Sequence, residues 1–153
     1  MFELIGVDVT ERDVTLSFVA SRMRVIDEQK ERARILLTHL AFEDMLEALC
    51  RLACRKAFPT PEEIKELGDE EVTNAGQYLL KIRDDAPEVY DTMMLKRSQP
   101  YGSKPLQPFH VCLEHLCTLL IVTCQAGTGN PAPDGKHLTE KEVNAFMKVS
   151  HAG

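Results

Sequence analysis

A mainly-α fold is what the sequence predicts: a helical bundle with at most a short two-stranded β element. Three observations carry that expectation. Apolar residues recur at helical spacing, most clearly Phe42, Met45, Leu46, Leu49, Leu52 and Ala53. Capping residues, Thr10, Thr60 and Thr139, stand ahead of acidic first turns. Proline and glycine gather between such segments, in 98–108 and 126–135, where regular structure stops. The 153 residues suit one domain that can bury its own core, and a composition 44% hydrophobic and 27% charged is that of a globular chain. With six Phe, three Tyr and no Trp, the core has to be built from Leu, Val, Ile, Met and Cys.

A first helix is expected over 11–33, opened by Thr10-Glu11-Arg12-Asp13 and carrying Val14, Leu16, Phe18, Val19, Met23, Val25 and Ile26. Its β-branched residues weaken the first turns, and Phe2 to Val9 could instead pair as a short strand. The second helix, 41–56, has Glu43, Asp44 and Glu47 early and Arg51, Arg55 and Lys56 late, which suits the helix macrodipole; Phe58-Pro59 ends it. Thr60-Pro61-Glu62-Glu63 combines a cap, a proline at the first helical position and two acids, and Gly68 closes that short helix. Another runs over about 69–82 with Val72, Ala75, Leu79 and Ile82 on one face. Asp85-Ala86-Pro87-Glu88 starts the next, with Val89, Tyr90, Met93 and Met94. Residues 109–125 are almost all apolar and read as a central core helix. The last helix, 138–149, opens with Thr139 and Glu142 spaced as a capping box.

The net charge of −6 and pI near 5.4 argue against a nucleic-acid binder and against an anionic membrane surface. The basic residues of 22–34 alternate with Asp27, Glu28 and Glu31, as on a solvated helix face. The longest apolar run, Leu116 to Thr123, is short for a bilayer span, and the start of the chain does not read as a signal peptide. Five cysteines, an odd number, suit free thiols in a reducing compartment, so a cytoplasmic setting is expected.

Little in the sequence spells chemistry. Cys50 and Cys54 share one helix and Cys112, Cys117 and Cys124 another, but the tight Cys-x-x-Cys knuckle of a structural zinc site is missing, so core thiols are the simpler reading. His110, Cys112, Glu114 and His115 are where an unrecognised helical active site would lie, although this spacing is not a catalytic arrangement. Gly127-Thr128-Gly129-Asn130 follows a helix rather than a strand and reads as a turn.

Two segments resemble EF-hand units that have lost their calcium ligands. With Leu40 at loop position 8, Asp44 falls at position 12 and Met45, Leu46 and Leu49 follow as in an exiting helix; with Leu138 at position 8, Glu142 falls at 12 and Val143, Phe146 and Met147 follow. Counting back, positions 1, 3 and 5 are Ala33, Ile35 and Leu37 in one loop and Pro131, Pro133 and Gly135 in the other, so no oxygen set for Ca²⁺ remains. The resemblance implies a degenerate EF-hand pair, units at about 11–57 and 109–150 with a helical insertion at 58–108, and backbone pairing of Leu40 with Leu138. A generic helical bundle is the other reading. The run Ser21-Arg22-Met23-Arg24-Val25-Ile26-Asp27-Glu28, followed by the segment from Leu40 to Ala53, also resembles modules of protist ciliary and flagellar proteins, which implies a scaffolding or docking role.

The expectation is therefore a non-catalytic protein-interaction or scaffolding domain, 1–153, in a cytoskeletal or flagellar assembly. It has no cofactor, no metal, and another protein as partner rather than nucleic acid, membrane or calcium. An open EF-type pair exposes a Met-rich apolar groove, and Met93, Met94 and Tyr101 beside the proline-rich loop are the candidate contact residues. An enzyme at His110/Cys112/Glu114/His115 and, less favoured, a calcium sensor are the rivals.

Overall fold

The computed structural model describes residues 5–22, 29–30 and 40–151. Helices dominate among these residues: α1 (Glu11–Ala20), α2 (Phe42–Ala53), α3 (Pro61–Glu66), α4 (Ala75–Asp85), α5 (Pro87–Arg97), α6 (Phe109–Gly127) and α7 (Glu140–His151). No strand occurs among them. The protein is a mainly-α bundle.

Local chemistry sets where these helices begin. Thr10 Oγ1 accepts from Asp13 N while the Asp13 carboxylate accepts from Thr10 N at 2.9 Å, a complete capping box. Thr60 with Glu63, and Thr139 with Glu142, do the same for α3 and α7. α2 has only half of the device: Asp44 reaches back to Ala41 N at 3.3 Å, and Ala41 has no side-chain acceptor to return the bond.

Three boundaries differ from the sequence expectation. α1 stops at Ala20, where Ser21 turns its hydroxyl back to Phe18 O at 2.9 Å; residues 23–28 and 31–39 lie outside the described residues. Of the strand expected over Phe2 to Val9, residues 2–4 lie outside the described residues, and 5–9 form a bend closed by Gly6 N donating to Val9 O. The helix expected from 69 begins at Ala75, because Asn74 caps it by accepting from Gln77 N at 3.0 Å.

The largest contact in the bundle is α4 against α6, and α6 also touches α2 and α7. The two backbones come very close at Gly76, where a Cβ would lie 2.7 Å from the carbonyl oxygen of Thr118. Segment 58–108 therefore supplies much of the core rather than decorating it: Val72, Tyr78, Leu79 and Ile82 pack with Leu116 and Leu119 of α6. By length and composition α6, 19 residues with mean hydropathy 1.4, could cross a bilayer, which the short run 116–123 alone does not suggest. In the bundle it serves as the central helix.

α1 meets α2 with an unexpected face. Asp13, Ser17 and Ser21, at successive i, i+4 positions, are buried, whereas Val19 is 60% exposed. Small side chains let the helices approach, and Ala48 is buried on the α2 side.

Candidate functional site

The segment after α2 makes the molecule's least ordinary feature. Arg55, Lys56, Ala57, Phe58 and Pro59 are all buried. A loop inside a protein must satisfy its polar groups internally. The two cations do so through carboxylates more than forty residues earlier in the chain. Lys56 Nζ donates to Asp8 Oδ1 at 3.0 Å with side chains 1% and 0% exposed, and Ala57 N donates to Asp8 Oδ2 at 2.8 Å. Arg55 donates to Asp13 Oδ1 at 3.2 Å and to Pro100 O at 2.7 Å. Burial pushes the Asp13 carboxyl up, but the hydrogen bonds from Thr10 and the Arg55 guanidinium outweigh it and leave its pKa below the ordinary value.

Arg55 thereby anchors the proline-rich loop 98–108. Further along, Arg97 donates to Phe58 O at 2.6 Å and pairs with Glu63, and Gln107 Nε2 donates to the carbonyls of Phe58 and Pro59. Within the loop Ser103 N donates to Pro100 O, a turn whose third residue is Gly102 at φ +85°, a conformation that suits glycine. Tyr101 sits at the turn, its ring centroid 5.9 Å from the Arg55 guanidinium carbon.

An open groove of about 540 Å³ lies between this loop and the C-terminal half of α2. Cys50, Arg51 and Cys54 form its helical side; Tyr101, Pro105 and Phe109 form its aromatic and apolar side. Its volume falls in the range of ligand sites. Burial pushes both thiols upward, with the nearby Glu47 charge acting in the same direction, so they stay protonated at neutral pH. The Arg51 and Arg55 Nε–H groups are buried and donate to no acceptor among the described residues.

The residues singled out from sequence scatter. Tyr101 is 38% exposed at the groove, Met93 is half-buried, and Met94 is 2% exposed in the core, where its sulfur lies 3.9 Å from Lys56 Nζ. Met94 is therefore not an exposed contact: its position in α5 turns it onto the buried loop. No backbone hydrogen bond joins Leu40 to Leu138, and neither belongs to a strand; Leu138 is 37% exposed. The carbonyls of Pro133 and Asp134 instead accept from the side-chain amides of Gln77 and Asn74. His110 and Glu114 are exposed on one side of α6 while Cys112 and His115 are buried on the other, so these four do not converge. Burial keeps the His115 pKa low against the opposing pull of Glu114, its Nδ1 is unpartnered, and its ring meets Phe58 edge-on at 5.6 Å. Among the described residues no group of three or more His, Cys, Asp or Glu could hold a metal ion.

Sequence reading missed the pairs Asp8–Lys56 and Asp13–Arg55, because nothing local links residues more than forty apart. It also misread α2. The apolar stripe is covered only in its C-terminal half, where Leu52 and Ala53 are buried; ahead of that, Phe42, Met45 and Leu46 are 67%, 41% and 44% exposed.

Comparison with family models, with curated proteins and with solved structures finds no match for this chain. The class that fold and surface define is a helical bundle with an uncovered apolar helix face and an open groove.

Proposed function

We propose that this chain is a non-catalytic protein-binding or scaffolding module. The observation that carries the reading is the overhang of α2: three large apolar side chains, Phe42, Met45 and Leu46, are exposed on a helix that buries Ala48, Leu52 and Ala53 further along. Scattered exposed apolar residues are ordinary, but a stripe at helical spacing is the form in which helices dock on other proteins. The outward and inward split of His110, Glu114, Cys112 and His115 also favours binding over catalysis. A flagellar or cytoskeletal setting rests on the resemblance of 21–28 and 40–53 to ciliary modules, and a degenerate EF-hand ancestry on the spacing around Leu40 and Leu138.

The test is a double substitution, Phe42→Glu with Leu46→Glu, in the tagged protein expressed in its native cell. Both positions are exposed, so the circular dichroism spectrum and melting temperature are expected to stay as they are. Proximity labelling should lose the partners that the unmodified protein marks. An unchanged set of partners would sink the reading.

A further inference from the structure

The inward stripe of α6 holds one basic ring. Cys112, Leu116, Leu119 and Val122 are buried there, and His115 stands among them with 7% of its surface exposed. Its Nδ1 is buried and has no hydrogen-bond partner among the described residues. A core position of that kind accepts the neutral imidazole but not the imidazolium, whose charge would go unsolvated. The ring meets Phe58 edge-on at 5.6 Å, and Phe58 is itself 3% exposed. The carbonyl of Phe58 accepts from both Arg97 and Gln107. His115 therefore touches the buried segment from which the 98–108 loop is hung.

Nothing packed around α6 is placed to stabilise a charged ring. Glu114, exposed on the other side of the helix, is the one group whose charge acts on His115, and burial outweighs it. Arg55 and Lys56 are spent on Asp13 and Asp8, and they carry the same sign as an imidazolium. On α2 Arg51 pairs with Glu47, and on α3 Glu63 is held by Arg97. On α4 Lys81 bridges Asp69 and Asp85, and Arg83 pairs with Asp84. On α7 Glu142 is engaged in capping with Thr139. Burial keeps Tyr78, Cys54 and Cys112 protonated and uncharged.

We propose that His115 is a proton-operated latch between α6 and the buried segment 54–60. At neutral pH the uncharged ring closes the seam against Phe58. In mild acid the imidazolium is stable only in contact with water, so the proton is taken up by parting the seam, and it then holds the seam open. Desolvation lowers the folded pKa of His115 below 6.5, so the closed form has its full stability above 6.5 and loses it as pH falls from there towards the folded value. His110 and His137 are exposed and face no such choice. The latch works whatever the protein binds, and its window lies above the one in which Asp13 titrates.

The experiment is urea unfolding of the full chain and of His115→Phe between about pH 7.5 and 5.5. The folding equilibrium constant of the unmodified chain should fall by up to about tenfold per pH unit below 6.5, as uptake of one proton requires. The variant should lack that part of the fall. His115→Gln, neutral and smaller, carries the same expectation if phenylalanine overpacks the site. Ring-carbon NMR should find His115 mainly neutral at pH 6.5 in the folded chain. Hydrogen exchange, corrected for intrinsic rate, locates the opening: acid should cost Ala57 N–H more protection than Gly135 N–H. The proposal is overturned if both variants keep the acid dependence of the unmodified chain, or if the folded ring is already mainly charged at pH 6.5. Equal loss of protection at Ala57 and Gly135 also overturns it, since acid would then loosen the whole bundle and not this seam.

Discussion

Two loops of this molecule are pinned to the bundle by side chains from other elements, one of them buried over 55–59 and the other buried only at Gly135, and they are held by different chemistry. Segment 54–60 brings two cations inside and neutralises them with Asp8 and Asp13, carboxylates 48 and 42 residues away. Segment 128–139 is held mainly by amides. Gln125 accepts from Gly135 N at 3.0 Å and donates to Asp134 at 2.8 Å and to His137 O at 2.9 Å, while Asn74 and Gln77 donate to the loop carbonyls. Neutral groups cost less to desolvate than ions, so the amide loop is the more forgiving of the two. A buried ion pair adds little net stability over an apolar pair of the same shape, yet leaves a severe penalty when one partner is removed. The ionic loop thus ties Asp8 and α1 to the bundle, and the amide loop ties α4 to α6.

The sharpest way to test that contrast is to strand one charge. Asp8→Ala leaves Lys56 buried and unpaired and is expected to cost about 3–5 kcal/mol by chemical denaturation, whereas Asp8→Leu with Lys56→Met should recover most of that loss. A loss under about 1 kcal/mol for the single change would mean that water reaches the pair. The amide loop should respond less. Gln125→Leu leaves Gly135 N–H without its partner and is expected to cost about 1–3 kcal/mol. The smallest effect is on pH dependence. The folded pKa of Asp13 is lowered from 3.8, so its contribution is complete above that value and is lost as pH falls through the lower, folded value. Asp13→Asn should flatten stability against pH below about 3.8 while leaving hydrogen exchange in 128–139 unchanged; an acid limb identical to that of the unmodified protein would rule out Asp13 as a source.

What could be read from sequence was short-range. The capping boxes at Thr10, Thr60 and Thr139 join residues three apart, so identity and spacing suffice to see them. The two proline- and glycine-rich loops were legible for the same reason. The α2 stripe was visible as a pattern, but a pattern does not say how far a neighbouring helix extends along it, so its exposed end at Phe42 could not be told from its buried end at Ala53. α1 misled in the opposite way. Its core face is Asp13, Ser17 and Ser21, polar residues that become interior because Arg55 supplies a countercharge and α2 comes close. Of the candidate contact residues, Tyr101 reached the groove and Met94 did not. One helical register step separates Met93 from Met94, and packing decides which of them turns inward.

By itself the sequence determined the helical class, most helix starts and the positions of the two long loops, since all of these follow from propensity and contacts within a turn. Tertiary structure alone decided that Arg55 and Lys56 would be buried, that the tip of the 98–108 loop would face α2 across a groove, and that half of the apolar face of α2 would be left uncovered. Those outcomes depend on carboxylates and backbone carbonyls brought together from more than forty residues apart. Pairing over that distance is a property of the packed chain and not of any window along it.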